Sequence, residues 1–333
     1  MSVSPKALVV KLSSMGDLFH PLPAVHQLKQ QVGLSVDWVT QPEYHDLVTC
    51  FSDIDRVIDF PRRRFTKGLR AFLRALRHTE YDYVFDFQGL FKSGMITRMA
   101  RAKRRIGPGY HREGASMYYD EVAGIRNKNR HAVDEALDFV QNMGLTPATQ
   151  PVFPVQFPRV QPSGPKPWIA MAPSSRWKTK NWPAEHFMVL GRKALKTTGG
   201  TLFLIGGGQD RDTAENIIKG LGGAQAENLC GQTSLPELGG YLAEMDVLFT
   251  VDSGPMHMAA ALGKPVVAIF GSTDPRRTGP YGDRHVIVQH GGLACQPCRS
   301  RICKLPDKST KCMAELSPET VWNAAQVFIQ SFR

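Results

Sequence analysis

Along the chain, short apolar and β-branched runs alternate with stretches of helical spacing. Residues 7–12 (ALVVKL), 36–40, 57–60 and 83–87 read as buried strands. Helical patterns fall near 23–31, over 69–78 and over 88–101. The clearest is 69–78, where Leu69, Phe72, Leu73 and Leu76 occupy i, i+3, i+4 and i+7 while Arg70, Arg74 and Arg77 face away. Residues 147–167 interrupt the alternation with seven prolines. Proline lacks an N–H and fixes φ, so neither a long helix nor a central strand survives there. Beyond it the pattern restarts, with strands at 168–172, 201–205, 247–251 and 265–270 and helices over 183–197 and from Asp210. The expectation is α/β: two Rossmann-like α/β/α domains facing a central cleft. The first covers 1–150, a proline-rich linker 151–167, and the second 168–333, with the C-terminal helix packing back on the first domain.

Composition narrows the class. Hydrophobic residues make up 42% and charged residues 21%, the balance of a globular chain. No run of about 20 apolar residues occurs, and the apolar stretch at 7–10 is cut by Lys11, so a cytoplasmic protein is expected. The formal charge is +11, and it is uneven. Residues 56–105 hold 14 Lys and Arg against four acids, placing +10 within fifty residues. That excludes a uniformly charged surface and predicts an anionic partner: nucleic acid, a phosphorylated lipid or a membrane face.

Five segments carry candidate chemistry. The first, KLSSMGDLFH at 11–20, leaves the first strand and opens a helix. Backbone N–H groups at a helix start attract anions. A carboxylate there, Asp17, can take a proton from a bound hydroxyl; the plainer reading has Asp17 capping the helix. The second, APSSRWKTKNWP at 172–183, sets Ser174, Ser175, Lys178 and Lys180 where a phosphate would be neutralised, against the alternative of a solvated loop. The third, GGGQD at 206–210, lacks G-x-G-x-x-G spacing, which weakens a dehydrogenase reading, yet its glycines let the backbone approach a nucleotide. The fourth, TVDSGPMHMAA at 250–260, ends a buried strand and starts a helix whose N–H groups would face a pyrophosphate. FGSTDP at 270–275 repeats that design at the next strand, which packing alone does not explain, although a lone histidine such as His257 is more often packed than catalytic. The fifth is Cys295-x2-Cys298-x4-Cys303-x8-Cys312. Four thiols so close suit a tetrahedral structural zinc or iron, with reduced thiols in a loop as the equal alternative.

Together these segments resemble the ADP-heptose:lipopolysaccharide heptosyltransferases, glycosyltransferases of the GT-B fold, over essentially the whole chain. SSMGDLFHPLPA is similar to the N-terminal motif of the heptosyltransferase I branch, and TVDSGPMHMAAALGKPVVAIFGSTDP to the family's donor-binding core. DFQGLFKS at 86–93 resembles the family's D-x-Q-G-L-x-K-S stretch, and RRRFTK at 62–67 a basic cluster that receives the acidic acceptor. The cysteine-rich segment is instead similar to the heptosyltransferase II branch.

The resemblance implies inverting transfer of heptose from ADP-heptose to an inner-core lipopolysaccharide precursor, carrying Kdo or heptose on lipid A. It implies Asp17 as the general base and Lys180 as the cation on the leaving diphosphate, with Lys178 as its rival. Ser174, Ser175, Gly207, Asp210, Asp252, Ser253, Gly254, Met256 and His257 would surround the donor. Ser14, Gly16, His20, Arg62, Arg63, Arg64, Lys67, Gln88 and Lys92 would surround the acceptor. No divalent ion is implied for catalysis. The basic first half would face the acceptor and the anionic inner face of the inner membrane, where the enzyme would sit peripherally.

Two other classes compete. A sugar-nucleotide 2-epimerase keeps the two-domain fold and needs no acceptor, so nucleotide release that depends on acceptor excludes it. A nucleic-acid-binding protein with a four-cysteine metal site would use the charge. The basic run lacks interleaved aromatic residues for stacking, however, and no binding module is recognisable, so no nucleic-acid partner is expected.

Overall fold

The computed structural model describes residues 4–62, 65–223 and 225–332. The chain divides into two units, Met1–Gln156 and Phe157–Arg333. In the first run β1 (Lys6–Val10), α1 (Leu22–Val32), β2 (Ser35–Thr40), α2 (His45–Val48), β3 (Arg56–Asp59), α3 (Phe65–Arg77), β4 (Glu80–Asp86), α4 (Phe91–Met99), β5 (Arg101–Pro108), β6 (Glu121–Ala123) and α5 (Ala132–Asn142). The strands form one sheet in the order β3-β2-β1-β4-β5-β6, every pair parallel. Ala7, Leu8, Val9 and Val10 are all buried, as a central parallel strand covered on both faces requires. On one face Phe72 and Leu76 of α3 pack against Leu8, Val10, Val39 and Ile58. Arg70, Arg74 and Arg77 stay exposed, so the helical period selects the buried side.

The helix expected over 88–101 is shorter, and Arg101 opens a strand instead. That strand was invisible to hydrophobic patterning because Arg101, Lys103, Arg104 and Arg105 fill half of it. They are held by acids on neighbouring strands and turns: Lys103–Asp82 at 2.8 Å, Arg104–Glu121 at 2.7 Å and Arg105–Asp120 at 3.5 Å. Part of the basic block is thus paired within the unit.

The second unit contains β7 (Trp168–Ala172), α6 (Ala184–Thr198), β8 (Thr201–Leu204), α7 (Arg211–Gly220), β9 (Ala226–Asn228), α8 (Leu235–Glu244), β10 (Val247–Val251), α9 (Gly254–Ala261), β11 (Val266–Phe270), α10 (Pro275–Thr278), β12 (His285–Gln289), α11 (Lys311–Ala314) and α12 (Pro318–Ile329). Its sheet order is β12-β11-β10-β7-β8-β9, again all parallel. Counted from its own first strand, this is the same doubly wound order as in the first unit. The C-terminal helix, for which packing on the first domain was expected, contributes Val321, Trp322, Ala325 and Ile329 to the core of the second unit.

The proline-rich stretch behaves differently from a bare linker. Val155 bridges Phe51, and the Gln156 N–H donates to the Cys50 carbonyl at 2.8 Å. From Phe157 onward the stretch lies on the second unit, where the Phe157 ring fills the space beside Gly239 and the Pro165 carbonyl accepts from Thr201 Oγ1 at 2.8 Å. Prolines cannot donate, but their carbonyls accept, as Pro154 does from the Ser52 N–H at 2.8 Å and Pro165 from Thr201.

One close approach in β5 sets up the site. A Cβ on Gly107 would fall 2.0 Å from ring carbons of Tyr119, whose hydroxyl reaches Asp86. Gly107→Ala is expected to push that ring outward and to lower stability by about 1–3 kcal/mol, measured by urea titration; an unchanged midpoint would show that the ring has room to move.

Candidate functional site

In each sheet the order reverses between two neighbouring strands: β1 and β4 in the first, β7 and β10 in the second. Crevices at such switch points, beyond the carboxyl ends of the strands, are where open α/β sheets take ligands.

At the first switch point β4 ends on Asp86, fully buried. Its Oδ1 accepts the N–H groups of Gln88 and Gly89 at 2.8 and 3.0 Å, and its Oδ2 accepts the Tyr119 hydroxyl at 2.8 Å. Burial pushes its pKa above the usual carboxylate range despite those bonds. The turn so fixed presents Gln88, whose Oε1 accepts the N–H groups of Leu12 and Ser13 at 3.0 and 3.2 Å. The loop leaving β1 is therefore positioned by the turn leaving β4.

Asp17 stands in that loop, in a single 3-10 turn, Gly16–Leu18. It does not cap α1, which begins five residues later. Its Oδ2 accepts from the Ser14 N–H at 3.0 Å and the Ser14 hydroxyl at 2.7 Å, and its Oδ1 lies 3.8 Å from His20 Nδ1. Beneath it Lys11 is buried, its ammonium donating to the Phe87 carbonyl at 2.9 Å. Crowding by protein pushes the Asp17 carboxyl up, but Lys11, His20 and the Ser14 bonds together hold it well below the usual carboxylate range. Yet 42% of the side chain remains accessible. The result is an ionised carboxylate, open to solvent, above a buried lysine.

The remaining acceptor-side residues separate into two groups. Ser14 and Gln88 are committed to Asp17 and to the loop backbone, and His20 is buried beside His131. Gly16 is buried in the turn. Lys92 and Lys67 are exposed, the former with its ammonium 5.9 Å from the Phe60 ring. Arg62 is also exposed and donates to Gln41 Oε1 at 3.3 Å. Arg63 and Arg64 lie outside the described residues.

At the second switch point the loop leaving β7 meets the loop leaving β10. Lys180 Nζ lies 2.7 Å from Asp252 Oδ2, and Thr273 Oγ1 donates to the same oxygen at 2.6 Å. Lys178, at the other end of the same turn, is exposed, so of the two rivals Lys180 is the one that reaches Asp252. The Ser174 hydroxyl donates to Asp210 Oδ1, and Asp210 Oδ2 accepts the Gly207 N–H at 2.8 Å. These three therefore fasten the loops after β7 and β8 to each other. Gly231, at φ +70°, lies behind them, where a Cβ would come 2.6 Å from the Gly208 Cα. The Ser175 N–H donates to Asn181 Oδ1 at 2.8 Å. Ser253 precedes Gly254 at the start of α9, and its hydroxyl is shared with Thr250 Oγ1 at 2.9 Å rather than capping the helix. His257 is buried in α9. Met256, expected beside the donor, lies in the first turn of α9 with its side chain wholly buried.

Of the four clustered thiols, Cys295 is exposed and the others half-buried. Burial and the neighbouring thiols push Cys312 up to about 11. Among the described residues no group of three or more His, Cys, Asp or Glu is arranged to hold a metal ion. Cys295, Cys298 and Cys303 all act electrostatically on Cys312, so the four thiols lie near one another.

Sequence reasoning missed Tyr119, and it quoted Lys11, Asp86 and Thr273 within motifs without giving them a role. Lys11 carried a signal, a lysine inside an otherwise apolar strand. Tyr119 carried none, since it reaches Asp86 from 33 residues away.

Residues 69–309 match the sequence model of glycosyltransferase family 9 (heptosyltransferase). The chain is 30% identical to lipopolysaccharide heptosyltransferase 1 of Escherichia coli (strain K12) over 303 residues, 85% of this chain and 93% of that protein. It is 27% identical to lipopolysaccharide heptosyltransferase 1 of Pseudomonas aeruginosa over 324 residues, 90% of this chain and 87% of that protein. The solved structure of E. coli heptosyltransferase WaaC with ADP is similar with a TM-score of 0.78 at 26% identity, over 98% of this chain and 100% of that one. A putative UDP-N-acetylglucosamine 2-epimerase from Listeria monocytogenes shares the fold at 14% identity and a TM-score of 0.55, over 98% of this chain and 88% of that one.

The charge beneath Asp17 is testable. Lys11→Met removes the cation but leaves the Phe87 carbonyl bonded to the Tyr110 hydroxyl at 2.9 Å. The Asp17 carboxyl, followed by carbon-13 NMR titration, is expected to rise by about one pH unit or more, since loss of the cation disfavours the charged form; an unmoved titration would remove Lys11 as its cause.

Proposed function

The chain belongs to glycosyltransferase family 9, and from that premise we propose that it is an inverting heptosyltransferase that moves heptose from ADP-heptose to an inner-core lipopolysaccharide acceptor. The observation that carries the reading is Asp17, an accessible carboxylate bonded to Ser14 in a loop that the turn after β4 holds in place. The Lys180–Asp252–Thr273 group supplies the complementary cation on the second unit.

The chemistry follows from those charges. The acceptor hydroxyl beside Asp17 attacks the anomeric carbon of the heptose as its proton passes to the Asp17 carboxylate. The bond from that carbon to the diphosphate oxygen breaks, and its electron pair leaves with ADP. Attack opposite the leaving group inverts the centre. A carboxylate can serve as the base, because the proton moves as the attacking oxygen becomes positive in an oxocarbenium-like transition state. Lys180 exchanges its bond to Asp252 for the departing diphosphate, which carries more charge than one carboxylate. The N–H groups at the start of α9 add partial positive charge. Fixed charges of this kind can stabilise a diphosphate without a divalent ion, so catalysis without metal belongs to the same proposal. The cysteine segment is read as scaffold, and elemental analysis of the purified protein reports directly on zinc or iron. The epimerase reading has only a likeness of fold behind it.

Asp17→Asn is expected to lower heptose transfer by about 10²–10⁴-fold while ADP-heptose still raises the Tm; full activity in that variant would take the base's role from Asp17.

The anionic membrane surface is the second partner in the proposal, with the enzyme acting at its cytoplasmic face. Among the described residues no helix is long and apolar enough to cross a membrane. The first unit does expose Phe91 and Met95 on α4 and, close by, Met117, which is 72% exposed. The Phe91 ring packs at 5.5 Å from Tyr118, which joins the two elements into one patch. Exposed Lys92, Arg98 and Arg112 accompany it. Each basic side chain near an anionic leaflet is worth about 1 kcal/mol. Phe91→Ser with Met117→Ser is expected to reduce co-sedimentation with vesicles containing phosphatidylglycerol at least about threefold, on the scale of one or two lost apolar side chains; equal binding by both proteins would move the contact elsewhere.

A further inference from the structure

The cysteine-rich segment has no part in the chemistry above, yet it is stitched to the turn that carries Lys180. That turn, Lys178–Lys180, is a single 3-10 turn with no side-chain cap. It is held from outside. Thr179, buried, donates its hydroxyl to the Ser300 carbonyl at 2.7 Å and accepts from the Ser272 hydroxyl at 3.1 Å. Beside it the Trp177 indole receives two cations: Lys180 Nζ lies 4.8 Å from the ring centroid, and the Arg301 guanidinium carbon also lies 4.8 Å away. Ser300 and Arg301 both belong to the cysteine segment.

The segment is in turn anchored where β11 ends. Gln296 donates to the Phe270 carbonyl at 3.1 Å, the Arg299 N–H donates to the Ser272 carbonyl, and the Arg299 guanidinium donates to Asp274 at 2.9 Å. Arg299 takes a left-handed backbone, φ 53°, a conformation that non-glycine residues keep only where surrounding bonds impose it. Cys312 packs beside Gly271 at the same strand end.

We infer that the cysteine-rich segment is a clamp on the Lys180 turn, and that Trp177, seated between Arg301 and Lys180 in this chain of contacts, is a positioning residue that fixes the ammonium for the leaving diphosphate. The physical ground is that Lys has four rotatable side-chain bonds and Asp252 alone restrains only its tip. The indole restrains the ammonium through cation–π attraction, and Arg301 restrains the indole. An ammonium displaced by an ångström loses much of its effect on a transition state that it stabilises electrostatically. The inference rests on the role proposed for Lys180, and the experiment separates the two.

Steady-state kinetics with ADP-heptose and acceptor are measured for Trp177→Ala, Trp177→Phe, Arg301→Ala, Lys180→Ala and the Trp177→Ala/Lys180→Ala pair. Trp177→Ala is expected to lower kcat by about tenfold to a hundredfold, with the ADP-heptose KM changed less than about threefold. Trp177→Phe, which keeps an aromatic face, recovers most of the loss. Arg301→Ala, a substitution at an exposed side chain that leaves the core intact, lowers kcat in the same direction. In the Lys180→Ala background Trp177→Ala costs nothing further, since its effect runs through the ammonium. Additive losses in that background, or an unchanged kcat in both Trp177→Ala and Arg301→Ala, overturn the clamp. An unchanged kcat in Lys180→Ala alone overturns the reading of Lys180 instead.

Discussion

A parallel strand can reach its neighbour only by a crossover that returns the chain to the starting edge, so every strand of such a sheet delivers its carboxyl end to the same side. Both units are built wholly of parallel strands. The turn after β1 carries Asp17, the turn after β4 carries Gln88, the turn after β7 carries Lys180, and the turn after β10 carries Asp252. At each switch point two of these turns meet, and the contacts between them set the chemistry: Gln88 on the backbone of Leu12 and Ser13, Lys180 on Asp252. Helix packing, cores and caps serve that arrangement by keeping strand ends in register.

The electrostatics of the two units are complementary in sign. In the first, a buried lysine lies under an accessible carboxylate. In the second, a carboxylate only 6% exposed lies against a more accessible lysine. Each of these more accessible groups is held by an opposite charge that water reaches poorly, where the attraction is stronger than between surface ions. The basic block is more divided than its arithmetic suggests. Lys103, Arg104 and Arg105 are paired along β5, and Arg56 is bonded to Asp37 and Tyr81. Among the described residues of the block, the exposed cations left for a partner include Arg62 and those of α3 and α4.

The alternation of apolar strands and helical spacing made the doubly wound class legible, and the polar turns at strand ends marked the candidate site. β5 escaped because its charges hide a strand whose buried residues are only Ile106, Gly107 and Pro108. The proline-rich stretch looked like a tether because its composition records missing N–H groups, whereas its carbonyls bond to both units. Asp210 and Ser174 looked like ligand-binding groups, and in the structure they are bonded to each other and to Gly207.

The sequence by itself determined the residue types at each strand end and the period that buries each helix face. These are local properties, set by side-chain size, polarity and spacing along one element. Which lysine meets Asp252, which carboxylate is left accessible and what the cysteine segment holds were decided only by the tertiary structure. Each of those depends on groups distant in sequence: Gln88 on the loop at 12–13, Tyr119 on Asp86, and Ser300 and Arg301 on the turn at 177–180. A charge acquires its chemistry from what lies within a few ångströms of it in space, and periodicity along the chain carries no record of that distance.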